Sequence, residues 1–306
     1  MRNARKAITG TLLELARQDR SVFAICTDSR GSVTINQFAD ELPDQFVECG
    51  IAEQNAIGIG AGLANAGLKP FVCGPACFFS ARAAEQIKVD MAYSRMNVKV
   101  IGVSGGVSYG ALGYTHHATH DVALFRAIPN MTIILPADYA QAAAMTRALV
   151  DHKGPVYVRV GRGDVMDVYG DGAAFEIGKA NWLKQGSDVS VIACGEMVAR
   201  AIGAAELLEA EGIKASVLDM HTLKPIDEAA VLKAATAGAV VTVEEHVVSG
   251  GLGSATAEIL CRNNPVKLRI LGLPVELLYN GAAADVFSHY GLTAQGIADA
   301  VKETIN

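Results

Sequence analysis

The sequence has no long apolar run of the kind that crosses a membrane. Hydrophobic residues make up 51% of its 306 positions, yet no uncharged stretch reaches the roughly 20 residues that a membrane helix needs. The basic start, with Arg2, Arg5 and Lys6, is followed by Gly10 and Glu14 rather than by the apolar core of a signal peptide. These absences predict a cytoplasmic protein with no membrane partner.

Positive charge is scarce, and the six cysteines form no pattern. The 26 Lys and Arg residues are outnumbered by 32 Asp and Glu residues, and no segment is rich in Lys and Arg. The net charge of −6 argues against a nucleic-acid partner, because phosphate binding needs a basic surface. The scattered cysteines predict reduced, buried thiols and no metal site.

What the sequence does contain is an alternation of short Val- and Ile-rich runs with helical patterns. In the first half, strands are predicted at residues 21–26, 70–74, 97–104, 132–135 and 156–160, and helices at 51–66, 81–93, 121–128 and 139–150. Continuous apolar strands separated by helices are typical of parallel sheets that helices cover on both faces. The chain is therefore predicted to be an α/β protein.

A glycine-rich segment divides the chain into two parts. After residue 186 the alternation resumes, with strands predicted at 189–193, 215–218, 239–243 and 268–271, and helices at 197–211, 228–237, 253–262 and 293–304. We therefore predict one domain over residues 1–165, a linker over 166–186 and a second, smaller α/β domain over 187–306.

One carboxylate stands at the start of an otherwise apolar predicted helix. A lone acidic residue in a first turn, such as Glu53, is normally explained by the helix dipole. Its neighbours Ile51, Ala56 and Ile57 indicate burial, and a buried carboxylate needs a partner. Glu53 is therefore a candidate functional residue.

Two aromatic residues follow the strand predicted at 70–74. Phe78 and Phe79 lie beyond the carboxyl end of that strand, where parallel sheets bind ligands. Such rings either stack on a flat heterocycle or pack in the core. Arg82 precedes Glu85 by three residues, a spacing that also suits a surface ion pair.

Three of the seven histidines lie close together after the strand predicted at 97–104. His116, His117 and His120 occupy a glycine-rich segment that has no His-Glu-x-x-His pattern, so a zinc site is not favoured. A histidine above a sheet is better suited to proton transfer or hydroxyl recognition. In the second half, the segment from Gly250 to Ser254 suits either anion binding at a helix start or packing.

In this order, the three clusters of the first half resemble the C-terminal half of transketolases and of 1-deoxyxylulose-5-phosphate synthase. The resemblance rests on Gly50-Ile51-Ala52-Glu53-Gln54, on Thr115-His116-His117, and on Ile128-Pro129-Asn130-Met131 with Pro136-Ala137-Asp138. It covers nearly the whole chain. It implies a pyrimidine-binding domain followed by the transketolase C-terminal domain.

The resemblance implies a thiamin diphosphate enzyme that transfers a two-carbon ketol unit from a ketose to an aldose. Glu53 matches the carboxylate that hydrogen-bonds N1′ of the aminopyrimidine. Phe79, rather than Phe78, matches the aromatic residue that stacks on that ring. Arg82 stands where the synthases carry Arg, and Asp28 matches an Asp near the cofactor, although Asp-Ser is also common in turns.

The same resemblance implies contacts with a sugar or sugar-phosphate substrate. His116 matches the histidine that contacts hydroxyl and carbonyl oxygens, and Arg162 resembles an Arg that binds phosphate, with a surface Arg as the alternative. Two positions depart from the pattern. Leu112 replaces an Asp that recognises a sugar hydroxyl, and Ser104 replaces a second His that helps to bind phosphate, so the substrate stays open.

Part of the implied active site is missing from this sequence. The family holds the diphosphate through Mg²⁺ with a Gly-Asp-Gly motif and a downstream Asn-Asn. Gly170-Asp171-Gly172 follows no buried strand, and Asn263-Asn264 lies far beyond it. We therefore expect the Mg²⁺ ligands on a separate pyrophosphate-binding subunit and predict an α2β2 assembly.

Two alternatives remain open at this point. The β-subunit of a 2-oxo acid dehydrogenase shares this layout and cofactor, although Thr115-His116-His117 favours the transketolase branch. A non-catalytic assembly subunit would keep the fold, but it would have no need to keep Glu53.

Overall fold

Parallel β-strands form the centre of each half of the chain in the computed structural model, which describes residues 1–170 and 172–306. The first half contributes β1 (Val22–Cys26), β2 (Phe46–Glu48), β3 (Lys69–Pro75), β4 (Lys99–Val103), β5 (Thr132–Ile134) and β6 (Val156–Arg159). These strands pair in parallel in the order β5-β6-β4-β3-β1-β2. The Val- and Ile-rich runs predicted as strands are confirmed.

Helices cover both faces of this first sheet. They are α1 (Ala4–Gln18), α2 (Arg30–Val33), α3 (Asn36–Glu41), α4 (Glu53–Asn65), α5 (Ala76–Arg82), α6 (Ala84–Gln86), α7 (Asp121–Ala127) and α8 (Tyr139–Asp151). On one face, Ile8 of α1 and Met145 of α8 share a core with Val22. On the other, Ile57 of α4 and Phe125 of α7 belong to a second core. Burial of both faces explains why the strands are apolar throughout.

The second half is built in the same way. Its strands are β7 (Asn181–Lys184), β8 (Val189–Ala193), β9 (Ala215–Asp219), β10 (Thr222–Lys224), β11 (Ala239–Val247) and β12 (Lys267–Leu273). Its helices are α9 (Met197–Ala210), α10 (Glu228–Ala234), α11 (Leu252–Asn263), α12 (Ala283–His289) and α13 (Ala294–Ile305). The second sheet has the order β12-β11-β8-β9-β7. The predicted fold class, two α/β domains with mostly parallel sheets, is confirmed.

Three strands lie where the sequence did not predict them. β2 falls in a part of the first half for which the sequence predicts no element. β7 falls inside the predicted linker and pairs antiparallel with β9, so that part of residues 166–186 belongs to the second sheet. β10 comes from the second half but pairs antiparallel with β5 at the edge of the first sheet. Backbone hydrogen bonds therefore join the two halves. The division at residues 165 and 187 stays a prediction.

The helices differ from prediction in two ways. The helix predicted over residues 81–93 is divided into α5, α6 and a π-helix over Ile87–Tyr93. No predicted element corresponds to α1, α2, α3 or α12. Within the described residues, no helix has both the length and the apolar character that crossing a membrane requires.

The carboxyl edge of the first sheet brings the candidate residues to one side of the molecule. Asp28 follows β1, Glu53 follows β2, Arg82 follows β3, His116 follows β4 and Arg162 follows β6. Parallel strands all end at the same edge, which is where ligands bind in open α/β sheets.

Candidate active site

Glu53 is a buried carboxylate at the first position of α4. Its residue is 1% exposed, and Arg82 Nη1 donates a hydrogen bond of 2.7 Å to its Oε2. Gly50 has a φ of 68°, a left-handed conformation that glycine adopts without strain and that turns the chain from β2 into α4. The predicted burial and the predicted need for a partner are both confirmed. Ile51, one of the residues on which that prediction rested, is instead 75% exposed.

Arg82 ends α5 and lies between the buried carboxylate and an aromatic ring. Its side chain is 44% exposed, and its Cζ lies 4.5 Å from the centroid of the Phe78 ring. The ion pair of Arg82 is therefore with Glu53, and not with Glu85 on the helix surface. One side of the guanidinium meets protein while the rest faces solvent.

The expectation for Phe79 is corrected by the structure. Phe79 is 0% exposed and packs in the core beneath the sheet edge, so close to Gly74 that a Cβ there would lie 3.0 Å from the ring. A ring without accessible surface has no face for a cofactor. Phe78, one residue earlier, is partly buried and contacts the site residues. The geometry of α5 gives Phe78, and not Phe79, accessible surface beside the site residues, which the sequence alone does not show.

His116 lies in the segment from Gly105 to His120, which we call the histidine loop. Its ring centroid lies 5.5 Å from that of Phe78 and 5.3 Å from that of Tyr109, both in edge-on geometry. The Thr115 hydroxyl lies 2.9 Å from His116 Nδ1. Two aromatic contacts and one polar contact thus orient the imidazole beside Phe78.

The other two histidines of the loop are placed differently. His117 is buried, and its Nε2 lies 2.9 Å from the Gly110 carbonyl oxygen. His120 precedes α7 and makes no side-chain cap bond to that helix. Among the described residues, no group of three or more His, Cys, Asp and Glu side chains could hold a metal ion. Asp171, the centre of the Gly170-Asp171-Gly172 segment, lies outside the described residues.

Arg162 joins the same cluster through an aromatic residue that sequence reasoning missed. Its Cζ lies 5.1 Å from the centroid of the Tyr109 ring, and Tyr109 in turn contacts His116. Arg162 is exposed, and its Nη1 donates to Ser32 Oγ at 3.4 Å. The sequence does carry a signal for Tyr109. It stands between two glycine-rich stretches, just beyond the end of a strand.

Asp28 lies at the same edge but apart from these contacts. It is exposed and has a φ of 52°, in the left-handed region that asparagine and aspartate tolerate best after glycine. Its backbone N–H donates to Glu48 Oε1 at 2.8 Å. The described contacts therefore connect Asp28 with Glu48, and not with Glu53 or Phe78.

A cysteine lies beside the site residues, and its burial disfavours the thiolate form. Cys77, next to Phe78, is almost fully buried, and burial raises the pKa of its thiol to about 11. A thiol with a raised pKa is a poor nucleophile at neutral pH. The groups available for chemistry at the site are therefore the carboxylate of Glu53, the guanidinium of Arg82 and the imidazole of His116.

The glycine-rich helix start in the second half binds a carboxylate of its own chain. Glu244 Oε2 accepts from the Leu252 N–H at 2.7 Å, and Oε1 accepts from the Gly253 N–H at 2.8 Å. An anion of the protein thus occupies the N-terminus of α11. The backbone N–H groups of Leu252 and Gly253 are therefore already used within the chain.

Comparison with known families covers both halves of the chain. Residues 1–167 match the family described as Transketolase, pyrimidine binding domain, and residues 178–297 match the family described as Transketolase, C-terminal domain.

Individual proteins are similar over nearly the full length. One subunit of the apulose-4-phosphate transketolase of Phocaeicola vulgatus is 54% identical over 303 residues, which cover 98% of this chain and 97% of that protein. The 1-deoxy-D-xylulose-5-phosphate synthase of Heliobacterium modesticaldum is 37% identical over 97% of this chain but only 46% of its own length. A solved structure described as a split gene transketolase, inactive beta4 tetramer, is 38% identical and matches with a TM-score of 0.93 over 100% of this chain and 99% of that one.

Proposed function

The chain belongs to the transketolase family, and from that premise we propose that it is the pyrimidine-binding subunit of a two-chain transketolase. With thiamin diphosphate and a second subunit, the complex transfers a two-carbon ketol unit from a ketose to an aldose. The observation that carries the proposal is the buried carboxylate of Glu53 at the carboxyl edge of the first sheet.

The residues at this edge fit the aminopyrimidine half of the cofactor. Glu53 presents a carboxylate in an apolar pocket, where a hydrogen bond to a protonated ring nitrogen is strong. Phe78 presents an aromatic ring next to it. Arg82 now holds Glu53 Oε2, and its partial exposure gives the guanidinium room to move aside.

When bound, thiamin diphosphate supplies a nucleophilic thiazolium carbon that takes up the two-carbon unit. Glu53 holds the proton at N1′ and keeps the ring oriented. The apolar residues around Glu53 keep water from competing for that proton. The resemblance of the first half to the family assigns Asp28 to the cofactor side of the same edge.

The substrate end of the site is formed by the histidine loop and the end of β6. His116 is held by Phe78 and Tyr109, which directs an imidazole toward the hydroxyl and carbonyl oxygens of a sugar. Arg162 is exposed above Tyr109, where a guanidinium can bind a phosphate in bidentate fashion. We infer that a sugar phosphate enters between these two residues.

Leu112 presents an apolar side chain on the histidine loop. It is 57% exposed, at the position where relatives carry an Asp that recognises a sugar hydroxyl. On the strength of 54% identity to a subunit of an apulose-4-phosphate transketolase, apulose 4-phosphate is the first donor to test.

A second polypeptide completes the active site in this proposal. It supplies the Mg²⁺ ligands that hold the diphosphate, and the assembly contains two copies of each chain. The description of a similar solved structure as an inactive beta4 tetramer supports this view, because that assembly of one chain type is called inactive. The free cysteines accord with a cytoplasmic location.

Co-expression with a chain that carries Gly-Asp-Gly and Asn-Asn motifs tests the proposal. We expect thiamin-dependent ketol transfer from the pair, and loss of at least about 100-fold in Glu53→Gln. Glu206→Gln, an exposed position on α9, is the matched control. Normal transfer by Glu53→Gln would favour the assembly-subunit alternative, and oxidative decarboxylation of a 2-oxo acid would favour the dehydrogenase alternative.

A further inference from the structure

The histidine loop is held at both ends by the second half of the chain. At its start, the Val107 N–H donates to Glu245 Oε1 at 2.8 Å. At its end, the Val247 N–H donates to the Thr119 carbonyl at 2.9 Å. Glu245 and Val247 lie at the carboxyl end of β11, so one strand of the second sheet fixes both ends of a loop from the first.

His246, between these two residues, binds the helix that follows the loop. Its Nδ1 donates to the Val247 carbonyl at 2.6 Å, and its Nε2 accepts from the Ala123 N–H at 3.2 Å. These partners require the neutral tautomer with the proton on Nδ1. Ala123 lies in the first turn of α7, so His246 satisfies one of the backbone donors that a helix start leaves free.

The Glu245 carboxylate is itself fixed from the first sheet. Arg159 of β6 donates to the Glu245 carbonyl oxygen, and its Nη2 lies 3.6 Å from Glu245 Oε2. Burial disfavours the charge of Arg159, yet the carboxylates of Asp121 and Glu245 hold its pKa above the ordinary value. Gly106 has a φ of 58°, and a Cβ there would lie 2.1 Å from the Glu245 carboxylate. The base of the loop is thus built around this side chain.

The tip of the loop also contacts the second half. Gly110 has a φ of 55°, and a Cβ there would lie 3.2 Å from the Gly281 carbonyl oxygen. A loop with several glycines in left-handed conformations has little stiffness of its own. Contacts from outside the loop must therefore supply the order that His116 needs.

We propose that Glu245 and His246 are positioning residues, through which the C-terminal domain holds His116 in place for the substrate. The inference rests on the proposed function, because it takes His116 as the substrate contact. A misplacement of about 1 Å in a positioned group costs about 100-fold in rate. The contacts of Glu245 and His246 with the histidine loop and α7, which we call the clamp, therefore affect catalysis although neither side chain touches the sugar.

Amide hydrogen exchange of the full chain tests the clamp without any activity assay. We expect His246→Leu to speed exchange of peptides over residues 105–123 about tenfold, since it removes the acceptor of the partly buried Ala123 N–H. His246→Gln, which restores an acceptor, should return exchange toward that of the wild type. His152→Leu at the end of α8 is the matched control and should leave residues 105–123 unchanged.

A second variant and a kinetic measurement complete the test. Glu245→Gln keeps an oxygen for Val107 and should give a smaller increase than His246→Leu. In the reconstituted complex, His246→Leu should lower kcat/KM for the donor at least about tenfold and leave thiamin diphosphate affinity unchanged. Unchanged exchange over residues 105–123 in His246→Leu, or an equal increase throughout the chain, would overturn the proposal. The expected exchange pattern without any ketol transfer would support the clamp and count against the proposed function.

Discussion

Arg82 and Glu53 form an ion pair across 29 residues of sequence, with 2.7 Å between Nη1 and Oε2. The carboxylate is buried whereas the guanidinium is partly exposed. Glu53 is therefore fixed in the protein interior, whereas the exposed part of Arg82 leaves its side chain room to move. In the proposed function, the aminopyrimidine takes the place of Arg82 at this carboxylate.

Removal of the guanidinium should destabilise the isolated chain. Arg82→Met leaves a buried carboxylate without its donor, which costs about 1–3 kcal/mol in the free energy of unfolding. The same change in a Glu53→Gln background should cost less, because an amide tolerates the loss of a cationic partner better. Urea unfolding of the four proteins measures the difference, and equal losses in both backgrounds would show that the pair contributes nothing.

Truncation of Phe79 should mainly lower the stability of the fold, whereas truncation of Phe78 should mainly weaken cofactor binding. Phe79→Ala creates a cavity in a closed core and should lower the free energy of unfolding by about 3–5 kcal/mol. Phe78→Ala should cost far less stability but weaken thiamin diphosphate binding by the reconstituted complex. Calorimetric titration with the cofactor measures binding, and chemical unfolding measures stability, so the two effects are separated. A stable Phe79→Ala variant with weakened cofactor binding would identify Phe79 as the residue that stacks on the cofactor.

His116 should matter for the substrate and not for the cofactor. His116→Ala is expected to lower kcat/KM by about 100- to 10,000-fold, the range of a lost acid–base group, with cofactor affinity retained. His120→Ala is the matched control, since that residue makes no side-chain cap bond to α7. Similar losses in the two variants would mean that the loop as a whole, and not the His116 imidazole, is required.

Arg162 tests whether the substrate carries a phosphate. Arg162→Ala should raise KM about tenfold or more for phosphorylated sugars, because a charge-assisted contact is lost, and leave KM for free sugars unchanged. Arg147→Ala on α8 serves as the surface control. Equal KM values for the variant and the wild type with both sugar types would assign Arg162 to the surface.

Asp219 should make stability depend on pH. Burial raises the pKa of this carboxyl group to about 7, although Tyr169 and Gln141 both donate to its Oδ2. The pKa is higher in the folded state than in the unfolded state, so the protonated form favours folding. Its contribution is complete below about pH 4 and is lost as the pH rises through about 7, on the order of 4 kcal/mol at most.

Asp219→Asn should remove that dependence. The free energy of unfolding of the variant, measured between pH 4 and pH 8, should fall less steeply than that of the wild type. Asp44→Asn, at an exposed position, should leave the slope unchanged. A variant slope equal to that of the wild type would show that Asp219 is not the titrating group.

Several features of the fold and site were readable from the sequence for physical reasons. The apolar strands were predictable because a parallel sheet covered on both faces leaves no polar alternation. Burial of Glu53 was predictable from Ala56 and Ile57, which are fully buried. Both signals lie within a single strand or helix, so they can be read from the sequence without knowing how that strand or helix packs in the fold.

Other features depend on contacts between distant segments. β10 has only three residues and reaches the first sheet through the packing of the two halves, so no periodicity identifies it. The choice between Phe78 and Phe79 depends on how α5 leaves β3. The contacts of Glu245 and His246 with the histidine loop and α7 span more than 120 residues of sequence and appear only in three dimensions.

Titration of activity with the second subunit tests the central claim most directly. Ketol transfer is measured with thiamin diphosphate and Mg²⁺ while this chain is held constant and the pyrophosphate-binding chain is added. We predict no transfer by this chain alone and a rise that saturates when the two chains are equimolar. Full transfer by this chain alone would contradict the conclusion that it carries half of an active site.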